Sequence, residues 1–95
     1  MRLLENIILR VAENDRADFE SLMQGLAKEI SKDSDGVEVS FYWNSTLESD
    51  VCIQLTREVG SNTRSASSLG VRLAASLKSF GLVDHTCWVE WEWGD

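Results

Sequence analysis

The hydrophobic pattern of this chain switches repeatedly between a repeat of two residues and a repeat of about 3.6, and that alternation constrains the fold more than any motif. In residues 3–12, Leu3, Ile7, Leu9 and Val11 fall on one side and Leu4, Asn6, Ile8 and Arg10 on the other. That is the pattern of a central strand with two partly apolar faces. Phe19, Leu22, Met23, Leu26, Ala27 and Ile30 then recur at three- and four-residue steps, which specifies a helix that Asn14 or Asp15 can cap. Gly25 sits inside this helix at a cost of about 1 kcal/mol relative to Ala, so a close approach to the sheet is expected there. Asp33-Ser34-Asp35-Gly36 collects turn formers, after which Val37, Val39, Phe41 and Trp43 alternate strictly with Glu38, Ser40, Tyr42 and Asn44. A polar loop through Ser45, Glu48, Ser49 and Asp50 leads into Val51, Ile53 and Leu55, with Cys52, Gln54 and Thr56 facing away, so these two strands form a hairpin.

Residues 60–68 are rich in Ser, Asn and Thr, which disfavour a helix interior but satisfy free amides at a helix start. A second helix follows, with the stripe Ala66, Leu69, Leu73, Ala74, Leu77 and Phe80 and with Gly81 as its C-terminal stop. The last strand turns Cys87, Val89, Trp91 and Trp93 one way and Thr86, Trp88, Glu90 and Glu92 the other. The order is β-α-β-β-α-β without a linker or a strong repeat, and 95 residues leave no room for a second core. Residues 1–95 therefore read as a single ferredoxin-like α+β sandwich, a four-stranded antiparallel sheet with two helices on one face. The other face is left uncovered and is too apolar to be wholly solvated. Asn6, Tyr42, Gln54, Trp88 and Glu90 lie on it and are the candidate ligand or interface residues, because an amphipathic aromatic beside amides and a carboxylate suits either role.

A formal charge of -7 and a pI near 4.6 repel a phosphate backbone, so nucleic acid is excluded as a natural ligand. No run approaches the roughly 18 apolar residues of a membrane span, and Glu5 and Asn6 interrupt the N-terminal apolar run before a secretory core forms. A cytoplasmic domain is expected. Asn44-Ser45-Thr46 matches a glycosylation acceptor, a chance match without an export signal.

The stretch from Asp35 to Trp43, with the polar loop before Val51, resembles the turn, second strand and hairpin of antibiotic-biosynthesis-monooxygenase-like domains in the dimeric α+β barrel superfamily. The resemblance spans nearly the whole chain in element order and spacing. It implies a homodimer whose sheets face one another and a small organic ligand held between helices and sheet. Where that family pattern carries an aromatic and acidic signature, this chain has Leu55-Thr56-Arg57-Glu58, and no catalytic residue carries over. The same element order is shared by ACT-like regulatory domains. A different class of reading is a non-catalytic acidic module, an inhibitor or immunity-like protein, that uses Glu38, Glu90 and Glu92 against a basic partner protein.

Side-chain chemistry adds little that is specific, and whether the chain is an enzyme is left open. His85 is the single histidine, so a site of several imidazoles is impossible, any metal would need Cys or carboxylate ligands, and no metal or cofactor is implied. His85 reads as a polar residue at a strand edge, with Asp84 pointing to the opposite face. Cys52 and Cys87 lack CxxC spacing and fall on opposite faces of separate strands, so two free thiols are expected, with Cys87 in the core. Trp43, Trp91 and Trp93 fall on the helix side as core fillers, whereas Trp88 falls on the uncovered face. Residues 60–65 lack the GK[ST] ending of a phosphate loop and read as a capping cluster.

Overall fold

The computed structural model describes residues 1–11, 16–33, 36–47 and 49–91. They form β1 (Arg2–Val11), α1 (Arg16–Asp33), β2 (Val37–Trp43), β3 (Asp50–Glu58), α2 (Ser68–Leu77) and β4 (Gly81–Val89). The strands make one antiparallel sheet in the order β2-β3-β1-β4, the ferredoxin-like arrangement that the periodicity specifies. β1 is central because it is the strand with apolar residues on both faces, and both its neighbours pair with it along almost its full length.

One face of β1 and β3 is sealed. Leu3 is buried, and Ile7, Leu9, Val51, Ile53 and Leu55 are buried in one cluster that also takes Phe19 and Ile30 from α1 and Leu69, Leu73 and Leu77 from α2. Both helices therefore cover the same side of the sheet. α2 has 10 residues, too few to persist alone in water, so its docking and its cap must hold it. The cap is Ser67, whose Oγ accepts the Gly70 N–H at 3.0 Å. Gly36, at φ 77°, makes the left-handed turn that enters β2. Among the described residues, no helix is long and apolar enough to cross a membrane.

Several expectations change. Gly25 makes no close approach: nothing lies within 4 Å of where its Cβ would stand. Gly81 does not stop α2 in a left-handed conformation but opens β4, where a Cβ would collide with the carbonyl of Arg10. β4 ends at Val89, so strand alternation no longer directs Trp91 inward, and it is 81% exposed rather than a core filler. Trp43 is half-exposed and meets the core edge-on, with its ring 6.0 Å from that of Phe19. The expected cap at Asn14 or Asp15, the turn residues Ser34 and Asp35, and Glu48, Glu92, Trp93 and Asp95 lie outside the described residues.

Candidate functional site

Strand register assembles the uncovered face into rows. Ser40, Gln54, Asn6 and Thr86 are successive cross-strand neighbours and form an uncharged polar row across its middle. On one side of this row lie Glu38, Thr56, Leu4 and Trp88, and on the other Tyr42, Cys52, Ile8 and Asp84. The residues expected on this face are on it, but they are spread over the sheet rather than gathered at a point. Trp88, Tyr42 and Ile8 are 57%, 51% and 41% exposed, a large apolar area to leave in water. The Trp88 indole N–H donates to Thr86 Oγ1 at 2.9 Å, which holds the ring against its own strand. Glu90 Oε1 accepts the backbone N–H of Arg2 at 3.2 Å. Arg10 meets Asp50 at 3.1 Å through Nε, and this guanidinium, helped by the Ser49 hydroxyl, holds the Asp50 carboxyl below its ordinary value of 3.8.

Clefts among the described residues include the following three. An open one of about 360 Å³ lies on the uncovered face among Arg2, Leu4, Gln54, Thr56, Trp88 and Glu90. A second on that face, of about 250 Å³, is lined by Ile8, Tyr42, Asp50 and Cys52. The most apolar, about 310 Å³, separates α1 from the β2 edge and is walled by Phe19, Met23, Ala27, Phe41, Trp43 and Val51.

The helix side holds a cluster that residue-by-residue reading missed. Glu5 takes an inward position of β1 between Leu3 and Ile7 and is fully buried. A buried carboxylate needs donors, and it has them. Oε2 accepts the Ser67 N–H at 3.1 Å and the Ser67 hydroxyl at 2.7 Å, and Oε1 lies 3.0 Å from His85 Nε2. The carboxylate thus sits at the N-terminus of α2, where free amides and the helix dipole favour negative charge. Gly70 makes room for it, since a Cβ there would fall on Glu5 Oε1. His85 is therefore not merely a polar residue at a strand edge: it faces the helices, and its side chain is 18% exposed. The one sequence signal for this cluster was the parity of Glu5, an acid at an inward position that has to find partners.

Cys87 lies beside this pair as the cross-strand neighbour of Glu5. It is exposed rather than in the core, because β4 is an edge strand and α2 begins only level with Glu5. Its thiol is pushed up by local burial first and by the Glu5 charge second, with Arg57 opposing, and burial raises Cys52 as well. Neither is an activated nucleophile, and both are free thiols. Arg57, whose terminal nitrogen donates to the Ser65 carbonyl at 3.0 Å, has a buried Nε with no partner. The cap of α2 is Ser67, which lies beyond the 60–65 stretch expected to supply it.

Comparison with protein-family models, with curated proteins and with solved structures finds no match. What is shown is the ferredoxin-like arrangement of four strands and two helices.

Proposed function

We propose that this domain is a homodimeric binding module in which the uncovered sheet face packs against the same face of a second copy. The observation that carries this reading is the uncharged centre of that face. Ser40, Gln54, Asn6 and Thr86 offer amides and hydroxyls that pair with their own kind across a two-fold axis, and Leu4, Ile8, Tyr42 and Trp88 flank them with apolar surface. Four strands about 4.8 Å apart and about 30 Å long present roughly 500–600 Å², so two copies bury about 1,000–1,200 Å². That lies at the low end of stable interfaces. A small organic ligand of largely apolar character fits the cleft between α1 and β2, whose volume of about 310 Å³ lies at the lower bound for such sites. No reaction is part of this reading.

A second reading draws on the rim of the face, where Glu38, Asp84 and Glu90 stand, and assigns the face to a basic partner protein. Salt separates the two. Acidic rims on two identical chains repel, so salt strengthens a homodimer, whereas it weakens a complex with a basic partner. Light scattering after size exclusion, at two protein and two salt concentrations, should give twice the chain mass, retained or increased in high salt. Trp88→Glu should return it to the single mass. A monomer at every concentration overturns the homodimer.

A further inference from the structure

Glu5, His85 and Cys87 bring three different metal-binding side chains to one point on the helix side of the sheet. His85 and Cys87 are two residues apart on β4 and so share its inward face, and Glu5 on β1 is the register partner of Cys87. A ring nitrogen, a thiol sulfur and a carboxylate oxygen, one from each residue, all lie within 4.8 Å of one another. A tetrahedral ion with bonds of about 2.0–2.3 Å sets its ligand atoms about 3.3–3.8 Å apart, so side-chain shifts of about 1 Å close the set. We propose that this trio is a binding site for a divalent, borderline-soft cation of the zinc type, with a fourth position open to water or another ligand.

The donor set itself argues for such an ion. Sulfur with imidazole and one carboxylate oxygen suits zinc or cobalt and does not suit magnesium or calcium, which take oxygen ligands. The carboxylate is already oriented, because Oε2 is tied to the Ser67 N–H and hydroxyl while Oε1 faces His85. Outer contacts of this kind fix a ligand before the ion arrives. Gly70 adds to the fixing, since its missing side chain leaves the space that Oε1 fills. On binding, Cys87 gives up its thiol proton to solvent, and the ion's two positive charges are matched by the thiolate and the Glu5 carboxylate. The nearby Arg57 charge, which already favours the thiolate, then faces a neutral centre rather than a cation. The site lies on the face opposite the proposed dimer interface and does not rest on that reading.

The test uses the full chain, stripped of metal with a chelator and titrated with cobalt, whose bond to a thiolate gives charge-transfer absorption in the near ultraviolet. The expected result is one cobalt per chain with that absorption, abolished by added zinc. Cys52→Ser should keep the absorption and Cys87→Ser should lose it; Cys87 is exposed, so the serine variant folds, as circular dichroism will register. His85→Ala should weaken cobalt binding by more than about 100-fold, the upper range for loss of a mere outer contact. Absorption that is absent from the unaltered chain, that survives Cys87→Ser, that follows Cys52 instead, or that ignores His85 would overturn the assignment.

Discussion

Replacing Ser67 by Ala removes two hydrogen bonds that depend on one hydroxyl. As acceptor from Gly70 N at 3.0 Å, it caps α2; as donor to Glu5 Oε2 at 2.7 Å, it helps to fasten that helix to the central strand. An ordinary N-cap is worth about 1 kcal/mol. A bond to a buried carboxylate is worth about 1.5–3 kcal/mol. Ser67→Ala should therefore cost about 3 kcal/mol, a large share of the roughly 5–10 kcal/mol that holds a small domain together. Urea unfolding gives this number from the shift in midpoint at constant slope. A Glu5→Gln background sharpens the test. There the hydroxyl meets a neutral amide oxygen, while the amide nitrogen faces His85, whose Nε2 then accepts. The bond drops to about 1 kcal/mol, and Ser67→Ala should cost about 2 kcal/mol. The two substitutions should thus couple by about 1 kcal/mol. If Ser67→Ala costs only what a surface cap costs, about 1 kcal/mol, or if the two substitutions add, the Glu5 carboxylate is not what anchors α2.

Two glycines should respond to alanine in opposite directions. Gly25→Ala, with open space around the new methyl group, should stabilise the domain by about 0.5–1 kcal/mol in thermal or urea unfolding, whereas Gly70→Ala must displace a Glu5 oxygen held by His85 and should destabilise by about 1–3 kcal/mol. Equal effects at both sites would mean that Glu5 can move aside freely. Asp50, held below its ordinary value by Arg10, contributes stability that is present above the unfolded-state value and is lost as pH falls through the depressed one. The difference in melting temperature between the unaltered chain and Asp50→Asn should accordingly be constant near neutrality and shrink below about pH 4, and a difference that grows on acidification would refute the pairing.

The fold was legible because every strand carries its own parity. Leu3, Ile7 and Leu9 on one side, with Leu4, Asn6 and Ile8 on the other, locate both faces of β1 before any neighbour is known. Strand alternation likewise put Trp88 on the uncovered face and Cys52 and Cys87 on opposite faces, but it has no meaning past a strand end, and Trp91 was misplaced for that reason. The Glu5 cluster was hidden because its members come from β1, β4 and the residue before α2, with Glu5 and His85 alone 80 positions apart. Parity sets Glu5 inward, yet only the register that pairs Glu5 with Cys87 and the start of α2 at Ser68 decide what it meets there. Gly25 and Gly70 make the same point. A helical glycine signals freedom or crowding with equal force in the sequence, and only the packing tells which.

Neighbouring residues of β4 carry the two proposed sites on opposite faces, and this separates their tests. Trp88 points to the uncovered face and Cys87 to the helix side, although their backbones are adjacent. Trp88→Glu should halve the solution mass and leave the cobalt absorption unchanged. Cys87→Ser should abolish the absorption and leave the mass unchanged. Loss of the cobalt signal in Trp88→Glu would mean that the dimer face orders the end of β4, since β4 is an edge strand held on one side only by β1. The backbone N–H of Glu90 donates to the Arg2 carbonyl at 2.9 Å just beyond that end, a tie that should keep β4 in place without a second copy. Independent responses are therefore expected, and crossed ones would place both functions on one moving strand.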